Sequence, residues 1–126
     1  MLEIQEKLSS DGYQELRKAA GSAELHITEA LDRDDVIGFI AYSYGADKTV
    51  VYDYDDGGDM MLCDGLVRSV MLKSTLKGIK HMLFELPDDG KYESLRKLRF
   101  ISGDSRQCPD VESFMNGCQH CKEKKE

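Results

Sequence analysis

The chain has 126 residues, 40% of them hydrophobic, which suffices for one domain with its own core and falls short of two ordinary ones. A formal charge of -7 repels phosphate backbones and anionic bilayers at long range, and the one dense basic run, "CKEKKE", is diluted by glutamates, which argues against a nucleic-acid partner. The opening "MLEIQEKLSSDG" lacks a basic-then-apolar leader and no apolar segment is long enough to span a bilayer, which argues against a membrane partner and points to a cytoplasmic protein whose four cysteines stay reduced.

Along the chain, residues 9–20 read as a short helix capped by Ser9 or Ser10 and ended by Gly21. Residues 25–31 and 36–44 are rich in β-branched and aromatic side chains, and "DRDD" between them is turn chemistry, so they form an antiparallel pair. A second turn, "GADK", leads into "TVVYDYD", a strand with Val50, Tyr52 and Tyr54 on one face and Val51, Asp53 and Asp55 on the other. "DGG" then reads as a hairpin turn and "DMMLC" as a buried strand.

After Cys63 the apolar period lengthens: Leu66 and Val70, then Val67 and Met71, predict the best helix in the chain. Asp64 is its cap, Arg68 an ion-pair partner, and Gly78 its end. "IKHMLFEL" is a strand, "PDDG" a turn, 91–98 a helix with Leu95 and Leu98 inward, and "RFISG" a last strand. Residues 105–126 read as a polar, cysteine-bearing tail with a short helix at 111–115, outside a domain spanning 1–104. Helices and strands in this order imply an α+β fold, an antiparallel meander packed by helices.

From "VIGFIAYSY" through "GLVRSVMLKSTLKGIKHMLFEL" to "SLRKLRFIS", the order and wording resemble the GNAT acyltransferase superfamily over about two-thirds of the chain. The resemblance implies a GNAT-like mixed sheet and a long helix whose N-terminus receives the pyrophosphate of acetyl-CoA or another acyl-CoA. It also implies acyl transfer to a small-molecule amine substrate. On this reading the backbone amides of Gly65, Leu66 and Val67 contact the phosphates, and Tyr92 or Cys63 handles the proton or the thioester. The family's phosphate loop usually reads (Q/R)-x-x-G-x-(G/A), since glycines let amides approach an anion closely, whereas the run before the helix here is "DMMLCDG". A carboxylate there competes for the same amides. The family's tyrosine falls at Leu95 and the glycine of its "L-G-F" at Arg99. A non-catalytic domain of the same fold with a metal-binding or redox-active cysteine tail is the alternative.

Other constellations compete with plainer readings. From Asp53, carboxylates fall at positions one, three and twelve of a twelve-residue loop with glycine at six, as in a calcium loop, but Gly57 stands at five and Asp64 at twelve; a turn closed by Asp55 and Asp56 fits better. Cys63 is either a thiolate favoured by a helix start or an inert core residue. Cys118 and Cys121 have knuckle spacing, and Cys108 with His120 or Cys63 would complete a zinc site; redox chemistry and plain solvation are the other readings of these thiols. His26 and His81 fall in predicted strands and read as packed or surface residues, and the tyrosines from Tyr42 to Tyr54 as sheet faces or a cleft lining. The sequence carries no signal for oligomeric state.

Overall fold

The computed structural model describes residues 2–7, 12–108 and 110–111. Its elements, in chain order, are β1 (Leu2–Lys7), α1 (Gln14–Ala20), β2 (His26–Asp32), β3 (Asp35–Tyr44), β4 (Lys48–Asp55), α2 (Met60–Leu76), β5 (His81–Phe84), α3 (Asp89–Lys97) and β6 (Gln107–Cys108). The strands make one six-stranded mixed sheet in sequence order. The first four form an antiparallel meander, β5 lies parallel to β4, and β6 returns antiparallel to β5. A parallel neighbour needs a crossover connection, and α2 supplies it.

The local chemistry accounts for most of this order. The β2–β3 turn puts Arg33 and Asp34 at φ 55° and 74°, the mirror-image turn that matches the twist of a tight hairpin. In α2, Leu62, Cys63, Leu66, Val67, Val70, Met71 and Ser74 recur every three or four residues and are all buried, so the helix lies with one stripe on the sheet. That stripe, with Tyr92 and Leu95 of α3, packs on Ile40, Tyr42, Val51, Tyr54 and Phe84, where each fully buried apolar side chain contributes about 1.5–3 kcal/mol. On the opposite face α1 covers a smaller cluster of Ala20, Leu25, Ile27, Ala41 and Tyr52. Buried hydroxyls are paired across elements: Thr28 with Tyr42 at 2.7 Å, Ser43 with Tyr52 at 2.8 Å, and Thr49 with Ser74 at 2.7 Å. No buried side-chain polar atom among the described residues lacks a partner.

Several sequence expectations change. "DMMLC" is not a strand: α2 begins at Met60, and its cap is Asp59, whose side chain accepts from the amides of Met61 and Leu62. Asp64 therefore sits inside the helix, where it pairs with Arg68 at 2.9 Å. "PDDG" is the capped start of α3, with Asp88 accepting from Gly90. "RFISG" forms no strand; Phe100 and Ile101 are buried in the core as irregular chain. The last strand is Gln107–Cys108, and Cys108 and Val111 join the core, so the packing continues past the expected boundary at residue 104. Leu2–Lys7 is an unforeseen edge strand. Helix α1 starts only at Gln14, with Tyr13 at its cap position, and Ser9 and Ser10 lie outside the described residues. No helix among the described residues is long and apolar enough to cross a membrane.

Candidate functional site

Strands β4 and β5 share only four rungs, Lys48 with His81 through Val51 with Phe84, followed by one bond from the Glu85 amide to the Val51 carbonyl at 2.8 Å. Strand β4 then runs on to Asp55 while the chain after β5 leads into α3, so the ladder between them stops and leaves a V-shaped gap in the pairing. A bulge aids the separation: Ala41 faces Asp53 and Tyr42 faces Val51, leaving Tyr52 as the extra residue. Such a residue bends its strand and resets the alternation beyond it. The strict alternation expected for 50–55 is accordingly corrected, with Val51 and Tyr54 both on the α2 face and Val50 and Tyr52 both on the α1 face.

The separated edges expose backbone groups that must find partners, and α3 provides them. The Lys91 ammonium lies 2.7 Å from Asp53 Oδ1 and 2.6 Å from the Tyr54 carbonyl, and 5.5 Å from the centre of the Tyr54 ring. The Tyr54 hydroxyl donates to the Lys91 carbonyl at 2.7 Å. Tyr92, 2% exposed, donates to the Phe84 carbonyl at 2.9 Å and accepts from the Leu86 amide at 2.8 Å. Its hydroxyl thus ties down the end of β5.

Between β4 and α2 runs "DGGD", where Gly57 and Gly58 take φ 61° and 82°, a conformation that glycine adopts without strain. Its amides turn inward to its own carboxylates: Gly57 to Asp55 and Gly58 to Asp56, both at 2.9 Å, then Met61 and Leu62 to Asp59 at 2.9 and 3.3 Å. Asp53, Asp55, Asp56, Asp59 and Asp64 crowd this stretch, and no lysine or arginine occurs between Lys48 and Arg68. Gly65, Leu66 and Val67 lie within the body of α2, several residues past its start at Met60. The expectation that their amides are the free ones is corrected by the earlier start of the helix.

On the α1 face, at the mouth of the V, a groove of about 620 Å³ is lined by Tyr13, Glu15, Leu16, Tyr52, Asp53 and Glu85 among others. Among the described residues its lining contains no lysine or arginine. The Tyr13 hydroxyl donates to Glu29 at 2.8 Å and its ring packs on Phe39, which fixes one wall. Burial and the Glu29 carboxylate raise the pKa of that hydroxyl, so it stays protonated as a donor. An aromatic, carboxylate-rimmed concavity of this size suits a small organic cation.

Both described cysteines, Cys63 and Cys108, lie in the core. Cys63 is fully buried, and its thiol is pushed up to about 12 by burial, against a hydrogen bond with Tyr54 and with the nearby carboxylates of Asp56 and Asp64 adding to the rise. Burial and the raised pKa fit the core reading of this residue. Cys108 is also buried, with its pKa raised by that burial. No three potential metal ligands converge among the described residues; Cys118, Cys121 and His120 lie outside them. Sequence reasoning missed Lys91, Glu15 and Glu85. The usable signal was the glycine pair and aspartate of "DGGD" immediately before an apolar helical stripe, which marks a helix start after β4 instead of a hairpin.

No protein-family model matches the sequence, and no curated protein matches it. Solved structures do match. The chain is similar to a GNAT family acetyltransferase from Elizabethkingia anophelis with acetyl-CoA bound, at 15% identity and TM-score 0.61 over 82% of this chain and 78% of that one. It is similar to an aminoglycoside N-acetyltransferase in complex with CoA, at 14% identity and TM-score 0.60 over 82% and 94% of the two chains. It is also similar to the ribosomal-protein-S18-alanine N-acetyltransferase from Escherichia coli, at 9% identity and TM-score 0.59 over 85% and 88%. Meander, long crossover helix, parallel strand and following helix agree with these acetyltransferases, and the chain has a GNAT-like α+β fold.

Proposed function

We propose that this chain is a GNAT-fold protein that binds a small cationic amine in the groove under α1. The observation that carries the reading is the lining itself: Glu15 from α1 and Glu85 from the chain after β5 both line the groove, Tyr13 and Tyr52 supply aromatic surface, and none of the described lining residues is a lysine or arginine. Asp53 is already neutralised by Lys91, so Glu15 and Glu85 are the carboxylates that would meet an incoming ammonium. Amine recognition is consistent with the neighbours, one of which is an aminoglycoside N-acetyltransferase.

Calorimetric titration with an aminoglycoside and with its fully N-acetylated form tests the reading. The cationic form is expected to bind and the neutral form not to. Glu15→Gln and Glu85→Gln should each weaken binding by about threefold to tenfold, the range for one partly screened charged contact. Equal binding of both forms, or affinity unmoved by either substitution, refutes it.

A further inference from the structure

The fold's relatives imply a second ligand, acyl-CoA, and the residues present do not fit it. The anion's place at the start of α2 is taken by the chain's own carboxylates, since the amides of Gly57, Gly58, Met61 and Leu62 already donate to Asp55, Asp56 and Asp59. Seating a pyrophosphate there would mean expelling three aspartates into positions beside it, where like charges repel most strongly. No lysine or arginine from residue 49 to 67 offsets them. The V between β4 and β5, where a pantetheine arm would find unpaired strand edges, is closed as well. Lys91 holds the β4 edge at the Tyr54 carbonyl, and Tyr92 holds both the carbonyl of Phe84 and the amide of Leu86.

We infer that this chain does not take CoA: the carboxylates of the β4–α2 loop and the Lys91 and Tyr92 side chains occupy the donor cleft from within. The chain keeps the acetyltransferase architecture without the phosphate grip, so its amine groove, on the reading proposed above, serves recognition and not CoA-dependent acylation. The variants below leave Glu15 and Glu85 untouched, so failure of one reading is visible apart from failure of the other.

The test is titration of the wild-type chain with CoA and with inorganic pyrophosphate at low ionic strength, followed by calorimetry and by the backbone amide shifts of Gly57, Gly58 and Met61. The wild type is expected to give no binding and no shift. A variant combining Asp55→Ser, Asp56→Ser and Asp59→Ser removes three charges while keeping a hydroxyl able to cap α2, and it should gain pyrophosphate affinity by about tenfold or more, with those three amides moving. The pair Asp55→Ser and Asp56→Ser leaves the helix cap intact and should show a smaller gain in the same direction. Micromolar binding of CoA by the wild type overturns the inference outright. Absence of any gain in folded variants overturns the assignment of the exclusion to these carboxylates.

Discussion

The two faces of the sheet are built to different standards. Under α2 and α3, side chains from every strand after β1 meet the helices in one continuous buried cluster, with both described cysteines inside it. On the other face, α1, a helix of seven residues, adds its own Ala20 to four buried residues, while Tyr13, Leu16, Phe39 and Val50 remain partly exposed. The groove opens on this thinner side. A ligand site needs concave surface left unfilled, so the dense layer carries most of the buried core while the thin one leaves room for the proposed amine.

The largest expected effect separates the two layers directly. Leu66 is a fully buried residue of α2, so Leu66→Ala should cost about 2–5 kcal/mol in urea unfolding, by lost transfer energy and by the cavity left behind. Leu16 only borders the smaller cluster, and Leu16→Ala should cost about 1 kcal/mol. Equal losses would break the comparison. Titration to high pH probes the same dense layer. The Cys63 thiol is raised in the folded state, so its contribution is fully present below the unfolded value of 9.0 and is lost as pH rises toward about 12. Unfolding free energy should therefore fall across that window, and the thiol should resist alkylation at about pH 8 until the chain is denatured.

Two glycines give a sharper contrast, of opposite sign. A Cβ at Gly38 would lie 2.5 Å from the Asp55 carbonyl oxygen and 3.0 Å from Leu62 Cδ2; the first is backbone and cannot swing away. Gly38→Ala should cost about 1–3 kcal/mol, because β3, β4 and α2 converge there. Gly65 lies in the body of α2, where a Cβ would meet only Ile4 Cδ1 at 3.4 Å. Gly65→Ala should stabilise the chain by about 0.5–1 kcal/mol through helix propensity, as thermal unfolding would show. Destabilisation would mean that β1 holds Ile4 too rigidly to yield.

What the sequence revealed follows from how local each signal was. The β2–β3 hairpin announced itself through "DRDD" between two β-branched runs, and the later part of α2 through its repeat of Leu66, Val67, Val70 and Met71. The start of α2 was misread because Met60, Met61, Leu62 and Cys63 are four successive apolar residues, a run too short to tell strand from helix by period. The bulge at Tyr52 depends on the register of β3 against β4, a relation between strands that β4 alone does not encode. The groove was the least legible part. Its walls come from three separated places, around Tyr13, Tyr52 and Glu85, with no fixed spacing to betray them. Lys91 looked like an ordinary helix-start residue until the V between the strands gave its ammonium a destination.

The smallest expected effect concerns β1, the edge strand that the dense layer barely reaches. Apart from its pairing with β2, it is held by Ile4 against Gly65 and by Glu6, which sits 3.0 Å from His26 Nδ1 and 3.2 Å from Lys73 Nζ. Partial burial pulls the Glu6 pKa upward, but the hydrogen bonds and charges of His26 and Lys73 outweigh it and leave the group lowered. A lowered carboxylate contributes stability that is present above its unfolded value of 4.5 and is lost as pH falls through the folded one. Glu6→Gln removes that contribution at every pH. Because the pair is solvent-screened, global stability should fall by no more than about 0.5 kcal/mol, while amide exchange in β1 quickens severalfold and that in β3 stays fixed. Acidifying the wild type below pH 4.5 should reproduce the same pattern. If β3 loosened together with β1, the edge strand would belong to the dense layer after all, and the division between the faces would have to be redrawn to include it.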